Sequence, residues 1–406
     1  MEILIIVSPP HLYYTSCVKR MFAKRVQLLV TSHTIAIDTK AKAFKSHGIP
    51  VINLSVGEPN FHTPENIKKA AINAIKEGNS FYTAPEGILE LRQAIAKKII
   101  NDNKITYDPS QIIVGAGSKQ LLYTAFQVLC DKGDEVIIPL PAWNTFVEQV
   151  KLAGAKPVFI TLKPPFKLTA NDVKKAITSK TKLLLLNSPS NPAGAMIESD
   201  ELKKIADLVV KNNILVITDE IYEKLTYSQR HISIASLNND IKERTITING
   251  VSKAYAMTGW RLGYAAGPKE IIEKMKALQS QLISHATAIS QKAAVEALTG
   301  DQKSIEMMRK AFAKRRDFCL KQIAAIPELS VNEPDGAFYL FISLEKLLRK
   351  QYPSSAAWAE ALLEKEKVAV VPGEAFYYPG YIRMSYAASD EDLQEAFKRL
   401  KKFIEV

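Results

Sequence analysis

From Thr63 onward the chain alternates between two hydrophobic periods. Thr63-Pro64-Glu65 reads as an N-cap, a proline at the first helical position and an acidic first turn. Ile67, Ala70, Ala71, Ala74 and Ile75 then recur at helical spacing until Gly78. A second helix is predicted over Ile88–Asn101, with Leu91, Ala94, Ile95 and Ile99 inward. Short apolar runs follow at Ile112–Val114, Val136–Ile138, Leu183–Leu186, Ile214–Ile217 and Thr245–Ile248, with helical stretches such as Lys119–Leu129 and Ser199–Asn212 between them. Runs that are apolar throughout predict strands buried on both faces. The fold class is therefore α/β, with a mostly parallel central sheet flanked by helices.

After about Asp301 the texture changes. A basic helix is predicted over Met307–Ile326, a strand over Gly336–Ser343, a helix over Trp358–Glu366 and strands over Val368–Val371 and Tyr381–Tyr386. Ser389–Asp392 opens a last helix with a capping-box pattern, and Phe397, Leu400 and Ile404 mark its inner face. This is a smaller α+β domain of residues 305–406, beside which residues 21–60 are expected to fold back. The large domain spans 61–304. Residues 1–20 are expected to be a loose N-terminal extension, or to precede a true start at Met21. Their apolar run, Ile3–Val7, is too short to span a bilayer and lacks the flanks of a signal peptide.

Composition narrows the class. The chain has 406 residues, 47% hydrophobic and 24% charged, ordinary values for a globular enzyme. Its net charge of +12 comes from lysines and arginines spread along helices, as at Lys203 and Lys204, with no nucleic-acid motif beside them. Nucleic-acid and membrane partners are not expected; small anionic substrates are. The cysteines, Cys17, Cys130 and Cys319, are odd in number and far apart, and the six histidines lack ligand spacing. These features predict no metal site and a reducing, cytoplasmic setting.

In an open sheet of this class, chemistry belongs beyond the carboxyl ends of the strands. After the first run comes Gly115-Ala116-Gly117-Ser118-Lys119, a glycine turn that opens a helix and can cradle a phosphate. After the second comes Trp143, able to stack on a flat ring. The third leads to Asn187-Ser188-Pro189-Ser190-Asn191-Pro192, a stiff loop presenting amides. The fourth ends in Asp219-Glu220-Ile221-Tyr222; a carboxylate there is costly to bury unless paired. The fifth is followed by Lys253, a candidate Schiff-base nucleophile, and by Arg261, a candidate phosphate clamp. Each has a plain structural reading when taken alone: a glycine turn, a core tryptophan, an Asx turn, a helix cap, a surface lysine. Six such residues in succession make coincidence a poor account.

The set resembles the class I/II aminotransferases of fold type I, dependent on pyridoxal 5′-phosphate. The carriers are NSPSNPAG (187–194), DEIY (219–222), SKAYAMTGWRLGY (252–264) and YIRMSYA (381–387), supported by SVGEPNF (55–61) and YTAPEG (82–87). The likeness runs from about Val26 to the C-terminus. It is nearest to the bacterial aspartate aminotransferase branch, which includes aspartate/prephenate aminotransferases. The resemblance implies that Lys253 bonds the cofactor and moves the substrate proton. Asp219 would hold the ring nitrogen protonated, and Asn191 and Tyr222 would bond its phenolic oxygen. Trp143 would stack on the ring beside the substrate. The amides of Gly117, Ser118 and Lys119, with Ser252 and Arg261, would hold the phosphate. Tyr82 would reach the phosphate of a second copy, which makes the protein a homodimer with shared sites. Arg383 would grip the substrate α-carboxylate, helped by Asn191 and the Gly57 backbone, while Lys119 and Thr34 would meet the distal carboxylate of aspartate.

The pattern also departs from the family. Ala142 and Ala193 replace an aromatic residue and a threonine, Ser118 replaces a second glycine, and Gly250 stands where many relatives carry a phosphate-binding hydroxyl. Two rival functions share parts of the pattern. A β-lyase would use the same lysine motif. A transcription regulator would need a DNA-binding module, for which the stretch before Ser55 is too short.

Overall fold

The computed structural model of the chain describes residues 22–27, 29, 33–348 and 352–405; the expected extension at 1–20 and the start at Met21 lie outside them. The strands are β1 (Ile52–Asn53), β2 (Ile112–Gly115), β3 (Glu135–Leu140), β4 (Lys156–Thr161), β5 (Thr181–Asn187), β6 (Leu215–Asp219), β7 (Thr245–Gly250), β8 (Gly263–Ala266), β9 (Ser330–Val331), β10 (Tyr339–Ser343), β11 (Val368–Ala369), β12 (Val371–Pro372) and β13 (Tyr381–Ser385). Seven of them form the central sheet, in the order β2-β8-β7-β6-β5-β3-β4.

The expected α/β architecture is found. All pairings from β4 across to β7 are parallel. Successive side chains of each strand feed opposite cores. Leu183 and Leu185 pack with the helices over one face, whereas Leu184 and Leu186 pack over the other. At roughly 1.5–3 kcal/mol for each fully buried aliphatic side chain, these runs dominate the stability of the sheet.

Two strands depart from the sequence pattern. β4 gave no apolar run because it is an edge strand with solvent on one face. β8 runs antiparallel to both neighbours, β2 and β7. Only the turn 251–262 separates it from β7, and that turn holds no α-helix to carry the crossover a parallel strand needs.

A second sheet, β12-β13-β10-β9, is antiparallel. Helices Lys303–Ala324, Ser355–Glu366 and Asp390–Glu405 supply its core with Phe312, Trp358 and Phe397. β1 pairs with β11, Ser385 donates its amide to the Leu54 carbonyl at 2.8 Å, and Lys40 bridges Glu360 and Glu364 at 2.8 and 2.9 Å. The segment before residue 60 is thereby stitched to the C-terminal unit. No described helix is long and apolar enough to cross a membrane.

Several local expectations are corrected. Thr63 does not cap the helix Glu65–Lys76; Pro64 occupies that position without a side-chain bond. The Thr63 hydroxyl instead donates to the Ala256 carbonyl at 2.7 Å and accepts from Trp260 Nε1 at 3.0 Å, because tertiary partners compete successfully for it. The expected strand Val368–Val371 divides into β11 and β12, which pair with different sheets. The strand expected from Gly336 begins only at Tyr339, since Ala337 has φ +60°. On the last helix Phe403, not Ile404, completes the buried stripe, and Ser389 does accept the Asp392 amide at 3.0 Å.

A buried ionic cluster lies behind the end of β6. Ser233 and Thr218 hydroxyls donate to Glu220 at 2.7 and 3.2 Å, and His231 Nε2 sits 3.1 Å from its other oxygen. Glu223 is bonded by Lys98 and, at 2.8 Å, by Asn103. Burial opposes charge on His231, but Glu220 and Glu223 outweigh it and raise its pKa above the usual value. Two carboxylates then balance two cations. A raised histidine stabilises the fold below its unfolded pKa, near 6.5, and loses that contribution as pH climbs through the folded value. His231→Ala should therefore cost about 3–5 kcal/mol at pH 6 and distinctly less at pH 9. Denaturant unfolding at the two pH values checks this; equal losses would contradict it.

Candidate active site

Every chemistry-bearing loop predicted at a strand end opens onto one cavity of about 350 Å³, lined by Gly57, Ser118, Lys119, Trp143, Asn191, Asp219, Tyr222, Ser252, Lys253, Arg261 and Arg383 among others. Sheet order explains the convergence. β2, β8, β7, β6 and β5 are consecutive neighbours, and their register aligns Gly115 with Gly263, Gly263 with Gly250, and Asn187 with Asp219. Arg383 arrives separately, on β13 of the other sheet.

Asp219 is the last residue of β6 and is 4% exposed. Its carboxylate accepts one backbone amide, from Ile221 at 3.2 Å. Burial raises its pKa to about 7, against the opposing pull of that amide and of Lys253. Asn187 donates to the Asp219 carbonyl at 3.0 Å and accepts the Asn191 amide at 2.9 Å, which ties the two loops together. The Tyr222 hydroxyl shares a hydrogen bond of 2.8 Å with that of Tyr339.

Lys253 follows β7, and its ammonium donates to the Gly57 carbonyl. Burial and then Arg383 lower its pKa to about 8, although Glu58 and Asp219 pull the other way. Arg383 is 2% exposed. It donates to Asn191 Oδ1 at 3.0 Å and to the Ser55 carbonyl at 2.5 Å, and its guanidinium lies 4.4 Å from the Tyr339 ring centre and 5.1 Å from that of Phe376. Its Nε is buried with no partner, and no described carboxylate pairs with it. Burial lowers its pKa.

The glycine turn sits at the opposite side of the cavity. Gly117 has φ +85°, and a Cβ there would come within 2.7 Å of Arg261 Nη2. Ser118 and Lys119 begin the helix Ser118–Leu129, so their amides have no intrahelical acceptor. The Ser118 hydroxyl is spent on the Asn249 carbonyl at 2.9 Å. Arg261 donates to the Thr258 carbonyl at 2.9 Å and has no described acidic partner. Lys119 Nζ lies 4.6 Å from the centre of the half-buried Trp143 ring, with its pKa lowered by burial and by Arg261. A side chain at Gly250 would crowd Gly263 Cα and the Leu262 carbonyl, both at 3.0 Å, and Ser118 Oγ at 3.1 Å. Close approach of β8 thus accounts for that departure from the family pattern. Ser252, buried against the cavity, offers a hydroxyl on this loop.

One predicted side chain is not brought to the cavity. Tyr82 is 90% exposed and meets His285 edge-on at 5.6 Å. Thr34 lies in the helix His33–Ser46, and its side chain is outside the described residues. Conversely, Tyr339, Glu58 and Thr258 line the cavity without having been singled out. Glu58 accepts from the Thr258 hydroxyl at 2.9 Å. Only the cross-strand register, Tyr339 opposite Ser385 and Phe341 opposite Arg383, places Tyr339 under the arginine, and no local pattern encodes that.

The cavity therefore holds four cationic side chains, Lys119, Lys253, Arg261 and Arg383, against Asp219 and Glu58. It is built for an anion carrying more than one acidic group.

A family model described as aminotransferase class I and II matches residues 49–400. The chain is 48% identical over 390 residues to an aspartate aminotransferase of Bacillus sp. (strain YM-2), covering 95% of this chain and 100% of that one. It is 43% identical to a probable aspartate/prephenate aminotransferase of Aquifex aeolicus, covering 95% and 99%. Among solved structures, the aspartate aminotransferase of Rhizobium meliloti superposes with TM-score 0.91 at 40% identity, covering 95% and 98%. That of Thermus thermophilus with maleate gives 0.90 at 40%, covering 94% and 99%.

The raised Asp219 has a measurable consequence without any ligand. A carboxylate whose folded pKa exceeds its unfolded value near 3.8 destabilises the fold increasingly as pH rises from about 4 to about 7, and fully above that. Asp219→Asn should remove this slope. Cofactor-free protein should melt several degrees higher in the variant than in the parent at pH 8, with the gap closing at pH 4. A gap independent of pH would refute the assignment.

Proposed function

This chain belongs to the class I and II aminotransferases, which depend on pyridoxal 5′-phosphate, and on that premise we propose that it moves the amino group of aspartate onto a 2-oxo acid such as 2-oxoglutarate, in two ping-pong half-reactions. The observation that carries the choice of substrate is Arg383, a buried guanidinium with an orphaned Nε and no acidic partner among the described residues. It is accompanied by Lys119, a second unpaired cation, at the glycine-turn side of the cavity. One carboxylate for each is the signature of a dicarboxylic amino acid.

The residues fit the cofactor. Asp219 is a buried acid that lacks a cationic partner, as a protonated ring nitrogen requires. The Ser118 and Lys119 amides and Arg261 form an anion cradle that a Cβ at Gly117 would obstruct. Trp143 offers a ring face, Tyr222 and Asn191 offer donors, and Ser252 offers a hydroxyl. Bound pyridoxal phosphate supplies an electron sink that acidifies the substrate Cα–H.

The chain's own residues do the rest. Lys253 Nζ, lowered to about 8, has an appreciable neutral fraction at physiological pH. As an amine it would hold the cofactor and, once displaced by the substrate amino group, would take the proton from Cα and return it on the far side of that nitrogen. Asp219 would hold a proton at the ring nitrogen, since its negative charge favours a cationic partner. Arg383 and Asn191 fix the α-carboxylate, and with it the direction of the Cα–H bond. Closure of the smaller unit, residues 21–60 and 305–406, over residues 61–304 excludes water from this proton transfer.

A homodimer belongs to this reading. Ile72, Ile75, Phe81 and Tyr82 are exposed apolar side chains that a second copy could cover, and from there Tyr82 would reach the other copy's phosphate. Thr34 is proposed beside the distal carboxylate. We place the enzyme in the cytoplasm, in keeping with the unpaired, buried Cys130 and Cys319. Prephenate is the second acceptor to consider, because relatives bear that name and it too carries two carboxylates.

An amino-donor screen against 2-oxoglutarate, oxaloacetate and prephenate tests the reading. Aspartate should lead with 2-oxoglutarate; release of pyruvate and ammonia from cystathionine alone would favour a lyase instead. Lys119→Ala should lower kcat/KM for aspartate by about tenfold or more, equivalent to about 1.4 kcal/mol, and leave a neutral donor within about twofold. Equal losses for both would remove Lys119 from substrate selection.

A further inference from the structure

Tyr339 touches three parts of the site at once. Its hydroxyl is 2.8 Å from that of Tyr222. Its ring lies under the Arg383 guanidinium at 4.4 Å. Its hydroxyl also abuts Gly57, where a Cβ would come within 2.7 Å of it, and the Gly57 carbonyl receives Lys253. The side chain is 1% exposed and packs edge-on against Tyr222 and face-tilted against Phe338, so it has no room to swing away.

We infer that Tyr339 is a positioning residue that aims the Tyr222 hydroxyl proton into the cavity and, through a separate part of the same side chain, seats Arg383. A phenol carries one proton. If Tyr222 donates that proton to an anionic oxygen in the cavity, it can only accept from Tyr339, its sole described side-chain hydrogen-bond partner. The pair then forms a donor relay, Tyr339 to Tyr222 to cavity oxygen, in which each bond strengthens the next. The ring of Tyr339 acts independently of its hydroxyl, holding the guanidinium plane by cation–π contact while Asn191 and Ser55 fix its edge.

This rests on the reading that Tyr222 faces the phenolic oxygen of pyridoxal phosphate. Donors to that oxygen stabilise its negative charge, which otherwise retains the proton of the nitrogen linking Lys253 to the cofactor. Weakening the relay should raise the pH at which that proton leaves.

The test is the pH titration of cofactor absorbance in the holoenzyme, read beside KM. Tyr339→Phe should move the midpoint upward by about half a pH unit and leave KM for both substrates within twofold. Tyr222→Phe should move it further. The double variant Tyr222→Phe with Tyr339→Phe should match Tyr222→Phe alone, because the Tyr339 hydroxyl acts only through Tyr222. Tyr339→Leu, which also removes the ring, should raise KM about tenfold. An unmoved midpoint in Tyr339→Phe, or a further shift in the double variant, would overturn the relay. A KM in Tyr339→Leu equal to that of Tyr339→Phe would overturn the seating of Arg383. Failure of the parent protein to take up pyridoxal phosphate absorbance would instead overturn the underlying cofactor reading.

Discussion

The structure depends on keeping charge buried without a resident counterion. Arg383 and Asp219 are both sequestered, and neither forms an ion pair among the described residues. Folding meets the cost of desolvating them, and that cost is recovered only when a ligand supplies the missing charge. Neighbouring residues limit the expense in different ways. Arg383 spends two of its arms on Asn191 and Ser55 and lies over two aromatic faces. Asp219 moves toward neutrality. The ionic cluster of Glu220, Glu223, Lys98 and His231, immediately behind it, is by contrast paired within the protein. Adjacent residues on one backbone thus differ: Glu220 has hydroxyl and histidine partners within the protein, whereas Asp219 accepts a single backbone amide.

Much of this was legible in the sequence. Uniformly apolar runs identify β2, β3, β5, β6 and β7 because a strand with helices on both faces has no polar side to show. The rule that chemistry follows strand ends leads directly to Trp143, Asn191, Asp219 and Lys253. β4 escaped because an edge strand carries exposed polar residues, and the direction of β8 escaped because it depends on the length of a turn rather than on its own four residues. Thr63 looked like a cap, but its hydroxyl is claimed by residues nearly two hundred positions away.

The site itself divides along the same line. Cavity-lining residues presented by local motifs could be picked out from the sequence; the one defined by pairing across a sheet could not. Tyr339 lies in a strand that reads only as apolar, and its place beside Arg383 comes from the register that sets it beside β13. Likewise, Gly250 could be noted as unusual but not explained until the approach of Gly263 and Ser118 was seen. Long-range register is the information a single sequence withholds.

The placement of β8 also bears on how the molecule is made. β2 ends at residue 115, yet one edge of it can pair only with residues 263–266, which emerge from the ribosome after roughly another hundred and fifty have been added. Until then β2 and the outer face of β7 each present an unsatisfied strand edge, and the glycine turn has no arginine beside it. Such separation makes closure slow and leaves partly synthesised chains open to edge-to-edge association. The glycine-turn end of the cavity is thus among the last features of the large sheet to form during synthesis, although its first residues are among the earliest translated.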